Sequence, residues 1–138
     1  MLALLNSGLR VCAAVALACL GAGCTGDTPL LSVGNLVGGD GLSPTITITS
    51  GGVSAKVLVV RQGQRVLFVN NDSVAHEMAS DLHPTHGRWP AMNQVGYLAP
   101  GQSRETGNLN VVGVISYHDH LDAQNEGLLG SIQIISVN

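Results

Sequence analysis

From Pro44 onward the chain alternates short apolar, β-branched stretches with glycine-containing breaks, a pattern that predicts strands. The segment "TITIT" at residues 45–49 alternates polar and apolar positions. The apolar runs at 55–60 and 64–70 are separated by "RQGQ", a break typical of a hairpin. Further strands are predicted in "VGYLAP", in "SRETGNL", at 111–118 and at 130–137.

These stretches amount to about six or seven short strands, the number expected of a two-sheet sandwich. None is followed by a helical pattern, which argues against an α/β fold. We therefore predict an all-β, Greek-key β-sandwich over residues 44–138.

The N-terminal segment predicts export. One basic residue, Arg10, precedes an apolar run at 11–20 that is too short to span a bilayer and is typical of a signal peptide, here residues 1–23. The sequence "LGAGC" ending at Cys24 resembles a bacterial lipobox, although Leu20 lies four places before the cysteine instead of three. The alternative is an ordinary signal peptide cleaved at 21–23, with Cys24 left free.

Residues 25–43 carry five glycines and little periodicity, which predicts a flexible linker. Thr25 does not resemble an inner-membrane retention signal. We therefore expect a protein of the bacterial periplasm that is attached to the outer membrane by a lipid on Cys24.

Charge and cysteine content narrow the chemistry further. The net charge is −3, and the six Lys and Arg residues form no run, so nucleic acid is not an expected partner. All three cysteines lie within the first 24 residues. The predicted sandwich therefore has no disulfide and no thiolate that could act as a nucleophile or a metal ligand.

All five histidines fall in two places. His76, His83 and His86 lie in or beside the segment 77–94, which shows no regular pattern, and His118 and His120 end a late strand. An irregular segment of that length is usually functional, and imidazole is a common ligand for copper and zinc. The histidines together predict a metal site, although each alone is more often a surface or capping residue.

The stretch "VLVVRQGQRVLFVNNDSVAH" resembles the opening of a cupredoxin domain, and "LAPGQSRET" and "GVISYHDH…GLLGSIQI" resemble its later strands. The resemblance covers about residues 44–138. It implies an antiparallel sandwich with copper at one pole and His76 as a ligand. On that basis, His76→Ala should weaken metal binding more than His83→Ala.

The departures from the family concern the ligands. Blue-copper cupredoxins place a cysteine after this tyrosine-containing strand, then a histidine and often a methionine. This chain has no cysteine there and no methionine after Met92. A thiolate-based blue site is therefore excluded, and a weakly coloured, tetragonal Cu(II) site or a Zn(II) site is expected.

Strand parity leaves two arrangements open at "YHDH". One face is predicted to be the core face and the other carries His118 and His120. Either Asp119 is itself a ligand, or the strand bends so that the two histidines turn towards the metal. We favour the bend, with Asp119 as a weaker ligand candidate or a partner that orients an imidazole. The core face carries Val111, Ile115, Tyr117 and, by the same parity, Asp119.

Met78, two residues after His76, is a further weak ligand candidate; the alternative is that it packs beneath the loop. The function expected is a non-catalytic copper-binding protein that handles or delivers copper, or transfers electrons slowly, with a periplasmic redox or copper-trafficking protein as partner. One alternative is a metal-dependent enzyme, with Glu77, Asp81 and Asp119 as the available bases. The other is a metal-free structural sandwich.

Overall fold

The computed structural model describes residues 43–137 of the 138-residue chain. The predicted signal peptide (1–23), the lipidation candidate Cys24 and the predicted linker up to residue 42 lie outside the described residues. Within 43–137, no helix has the length and apolarity needed to cross a membrane.

The described residues form two mixed β-sheets. One sheet has four strands in the order β2-β1-β4-β7, and the other has five in the order β3-β9-β8-β5-β6. Pairing is parallel between β1 and β4 and between β3 and β9, and antiparallel elsewhere. The strands are β1 Thr45–Thr49, β2 Gly52–Val53, β3 Val57–Arg61, β4 Leu67–Asn70, β5 His76–Ser80, β6 Gly96–Leu98, β7 Ser103–Glu105, β8 Gly113–Asp119 and β9 Gly130–Ile135.

The alternation of the sequence produces the core between the sheets. In β1, Ile46 and Ile48 are buried while the threonines between and beside them are not. Phe68 of β4 meets Tyr117 of β8 edge to face, with ring centroids 5.3 Å apart. Each such buried side chain stabilises the fold by roughly 1.5–3 kcal/mol. The predicted all-β sandwich is confirmed, with mixed sheets where the resemblance implied antiparallel ones.

The break "RQGQ" is not a hairpin turn. The backbone does turn there, because the N–H of Gln64 donates to the carbonyl of Arg61 over 3.1 Å. The strands on either side belong to different sheets, since β3 pairs with β9 while β4 pairs with β1 and β7. The turn therefore carries the chain from one layer of the sandwich to the other.

Two further predictions about secondary structure were wrong. Residues His76–Ser80, expected to lie mostly in the irregular segment, form β5 between β8 and β6. Four of its five residues are buried, so it shows no two-residue alternation. At the other position, β8 begins at Gly113, and Val111 is 62% exposed and not part of the core.

The pairing of β5 with β8 brings the histidine-containing segments together. Ala79 lies opposite His118 and Ser80 lies opposite Tyr117. After Ser80 the chain enters the loop 81–91, and after Asp119 it enters a short 3-10 helix, His120–Asp122. Because β5 and β8 are antiparallel, their C-terminal ends point in opposite directions. The loop with His83 and His86 begins beside the middle of β8, where Asp81 N–H donates to the carbonyl of Ser116 over 3.0 Å.

We expect Gly52→Ala to lower the free energy of unfolding by about 2 kcal/mol or more. Gly52 has φ = 108°, and a Cβ there would collide with the backbone carbonyl of Gly127. Urea denaturation measures the loss. Gly51→Ala is the matched control, because its Cβ would meet only Thr49 Oγ1 at 3.7 Å. Equal stability of the two variants would contradict the packing of β2 against residues 126–128.

Candidate metal centre

Four of the five histidines form one group beside the β5–β8 pair. One ring nitrogen from each of four imidazoles lies within 4.8 Å of the others. Ring centroids are 4.7 Å apart for His86 and His120 and 5.6 Å apart for His83 and His86. Nitrogens around one tetrahedral ion are about 3.3 Å apart, given metal–nitrogen bonds of about 2.0–2.1 Å. Small side-chain rotations would therefore let all four bind one ion. The group consists of His83, His86, His118 and His120.

His118 presents an unpartnered nitrogen to this group. The side chain is 2% exposed, and its Nδ1 lies 2.7 Å from Oδ1 of Asp81, so Nδ1–H donates to the carboxylate. The other nitrogen, Nε2, then carries a lone pair, and it is the one buried side-chain polar atom in residues 43–137 without a hydrogen-bond partner. An unsatisfied buried acceptor costs about 1–3 kcal/mol. A metal ion would satisfy it, and a carboxylate on the opposite nitrogen is the usual setting of a metal-ligating histidine.

His86 is fixed by its backbone as well as its ring. Its Nδ1–H donates to the carbonyl of Ser80 over 2.8 Å, which leaves Nε2 unprotonated. The residue adopts φ = 48°, a left-handed conformation that residues other than glycine adopt infrequently. Its own carbonyl accepts hydrogen bonds from Ser80 Oγ and Asn93 Nδ2. Such strain persists where surrounding contacts over-determine it, and it is often found at functional sites.

His120 is placed by the end of β8. It begins the 3-10 helix His120–Asp122, whose first turn is capped by Asp119: the carboxylate oxygen Oδ1 accepts the N–H of Leu121 over 3.0 Å. The Nδ1 of His120 lies 2.8 Å from Nε2 of His86. Since the Nδ1 of His86 carries that ring's proton, His120 Nδ1–H donates across this contact. A metal ion bound by both nitrogens would replace the shared proton.

His83 is the exposed member of the group. Desolvation by its surroundings lowers the pKa of His83 below its usual value of 6.5, and the imidazoles of His120, His118 and His86 lower it further. The neutral form, which has a lone pair for a metal, is therefore favoured at neutral pH. Among the described residues, no hydrogen bond holds this ring.

His76 lies apart from the four-histidine group. It is buried, with Nδ1 2.8 Å from Asp119 Oδ2 and Nε2 3.4 Å from Asp72 Oδ2. Both ring nitrogens therefore face carboxylates. Removing one partner of such a buried hydrogen bond typically costs about 1–3 kcal/mol. The ligand role that the resemblance implies for His76 stays a prediction.

The two weaker candidates also lie outside the group. Asp119 is buried at the inward position that parity predicted, and its two oxygens contact His76 Nδ1 and the N–H groups of Glu77 and Leu121. Met78 is fully buried in the hydrophobic core, which is the alternative considered for it.

The residues that hold the histidines were not predicted for that role. Asp81 was considered only as a base, and Ser80 and Asn93 not at all. The sequence could have indicated this role of Asp81, because it is an acidic residue two positions before His83. The contacts of Ser80 and Asn93 depend on the loop returning to the end of β5, because Ser80 N–H donates to Asn93 Oδ1 over 2.8 Å.

Comparisons with known proteins concern the fold. Neither a family model nor a curated protein sequence matches the chain. Among solved structures, a purple cupredoxin from Nitrosopumilus maritimus is 21% identical, with a TM-score of 0.55 over 67% of this chain and 100% of that chain. Amicyanin from Paracoccus versutus is 13% identical, with a TM-score of 0.53 over 67% of this chain and 81% of that chain.

The Cu-containing nitrite reductase NirK from Thermus scotoductus SA-01 also matches. It is 19% identical, with a TM-score of 0.55 over 70% of this chain and 23% of that chain. At these identities the likeness concerns the fold. The described domain is cupredoxin-like, as the sequence resemblance implied.

We expect Asp81→Asn to weaken Cu(II) binding about 10–100-fold, because an amide accepts the His118 Nδ1–H less strongly than a carboxylate does. Competitive titration against a chelator measures the change. Asp122→Asn is the matched control, since Asp122 is exposed and bonds Asn125 over 2.9 Å. An affinity that is equal in the two variants would argue against the Asp81–His118 contact as a support of the site.

The metal-free protein should lose stability on acidification, in part through His83. Its pKa is lower in the folded than in the unfolded chain, so the unfolded chain binds more protons as the pH falls below 6.5. The contribution is present above that pH and is lost below it. Urea denaturation at about pH 7.5 and about pH 5 tests this. His83→Gln should show a smaller pH dependence, and an unchanged dependence would contradict the assignment.

Proposed function

We propose that this protein is an exported copper-binding protein whose ion is held by His83, His86, His118 and His120. The observation that carries the proposal is the lone pair of His118 Nε2, buried without a partner beside three other imidazoles. A site of four neutral nitrogen donors suits Cu(II) and also accepts Zn(II). Cu(II) binds such ligands more tightly than Zn(II), so copper is the proposed ion.

The fold supports the same choice. The similar solved structures include a purple cupredoxin, a Cu(I) form of an amicyanin variant and a Cu-containing nitrite reductase. That this chain also binds copper is part of the proposal, because its similarity to these structures concerns the fold.

Handling or delivering copper fits this donor set better than rapid electron transfer. The chain after residue 24 has no cysteine, and Met78 is enclosed in the core. Without sulfur ligands, Cu(I) is not specially favoured and the colour of the Cu(II) site is weak. Export through the signal segment 1–23 and attachment by a lipid on Cys24 belong to this proposal, as does a periplasmic redox or copper-trafficking partner.

The carboxylates near the site support a non-catalytic role. Asp81 accepts a hydrogen bond from His118, and Asp119 accepts hydrogen bonds from His76 and two backbone N–H groups. Carboxylates that orient imidazoles and cap a turn are poorly placed to take a proton from a metal-bound water.

His76 has a structural part in this proposal. Its Nδ1 contacts the buried carboxyl group of Asp119 over 2.8 Å, and Asp119 in turn caps the helix that begins with His120. The order of mutational effects is therefore the reverse of the one that the resemblance implies: loss of His83 should reduce copper affinity more directly than loss of His76.

Copper titration of the variants tests the proposal. We expect one Cu(II) per chain, nitrogen hyperfine structure in the EPR spectrum and no intense thiolate band near about 600 nm. His118→Ala should lower the affinity by about a hundredfold or more, since four ligands share a total of about 10–16 kcal/mol in comparable zinc sites.

His76→Gln is the matched control and should retain one Cu(II) per chain wherever circular dichroism shows a folded domain. Copper binding that survives in His118→Ala and is lost in folded His76→Gln would contradict the proposed ligand set. An intense band near about 600 nm would do the same.

A further inference from the structure

We infer that copper is exchanged through the coordination position of His83, where an incoming imidazole from a partner protein takes the place of this side chain. The inference rests on the proposed copper site. It concerns which of four chemically identical ligands gives way, and it follows from an asymmetry in how the four rings are held.

Two of the other three rings are fixed from behind, and the third is placed by its backbone. The Nδ1–H groups of His118 and His86 donate to Asp81 Oδ1 and to the carbonyl of Ser80 over 2.7 Å and 2.8 Å. His120 begins a 3-10 helix whose first turn is capped by Asp119, and its ring contacts His86 Nε2 within the group. All three residues are buried or half-buried. Moving His118 or His86 away from an ion would break the hydrogen bond behind its ring.

His83 has none of these supports within residues 43–137. Its ring is exposed and lies against the other imidazoles, with centroids 4.9 Å from His120 and 5.4 Å from His118. Its backbone belongs to a turn closed by the hydrogen bond from His86 N–H to Leu82 carbonyl, 2.8 Å long, and Leu82 itself is 68% exposed. The His83 ring therefore covers the solvent side of the group.

This arrangement suits transfer by ligand exchange. A bond forms between copper and an imidazole nitrogen of the partner as the bond to His83 breaks, and the oxidation state of copper does not change. The nitrogens of His86, His118 and His120 hold the ion while this happens, so it is never released as a free aqueous ion. The partner is identified by chemistry: a protein that presents an accessible histidine on a convex surface.

The test uses the full chain loaded with Cu(II) and, as probe, a capped tripeptide with a central histidine and a fluorescent label. The peptide is too large to enter a buried cavity, and bound Cu(II) quenches its fluorescence. His83→Ala should lose less copper affinity than His86→Ala or His120→Ala. Once each variant is loaded with one Cu(II) at a saturating concentration, His83→Ala should bind the peptide at least about tenfold more tightly than the other two.

Peptide binding that is equal in all three variants, or loss of copper from His83→Ala as complete as from His86→Ala, would overturn the inference while leaving the four-histidine site intact. Failure of the parent chain to bind Cu(II) would instead overturn the proposed function, and the inference with it. Circular dichroism of each variant separates ligand loss from unfolding.

Discussion

The hydrogen bonds of the buried Asp119 side chain are the constraint on which the end of β8 and the following helix depend. It receives the Glu77 N–H from β5 over 2.8 Å, the Leu121 N–H from the following helix over 3.0 Å, and His76 Nδ1 over 2.8 Å. A carboxyl group at 1% exposure is tolerated only with such a set of hydrogen-bond donors. The set joins two neighbouring strands and forces the chain out of β8 at His120. His120 owes its position to this turn, whereas His118 is placed by the pairing of β8 with β5.

Because of that constraint, successive residues at the end of β8 have different contacts. His118 and Asp119 are adjacent and both buried, yet one contacts the loop residue Asp81 and the other contacts His76 of β5. Strand geometry sends successive side chains to opposite faces. The end of β8 therefore contributes to two clusters: the four-histidine group and the imidazole of His76 between two carboxyl groups. The resemblance implies that His76 is a copper ligand; in this structure its Nδ1 contacts Asp119.

Much of the fold could be predicted from the sequence, because β1, β3, β4 and β9 bury one face and therefore alternate. β5 escaped prediction because it is buried on both faces and holds polar residues such as Ser80, whose partners come from the loop. The histidines were recognised as a set from their placement alone. The sequence could not predict that four histidines form one group while His76 lies apart. This depends on hydrogen bonds between residues some forty positions apart, such as His76 with Asp119. The inward position of Asp119 was correct by parity, whereas Val111 was wrong because the strand starts two residues later.

The burial of the two methionines within the described domain has a consequence for its chemical durability. Copper that cycles between oxidation states in the presence of oxygen generates oxidants beside its own ligands, and exposed sulfur is the side-chain chemistry most easily damaged by them. Residues 43–137 contain no thiol, and the thioethers of Met78 and Met92 are both fully enclosed by the core. The surface around the histidines therefore presents no sulfur atom to oxidation. A nitrogen-only set of donors, with the sulfur atoms of residues 43–137 enclosed by the core, would suit the copper-binding role proposed above.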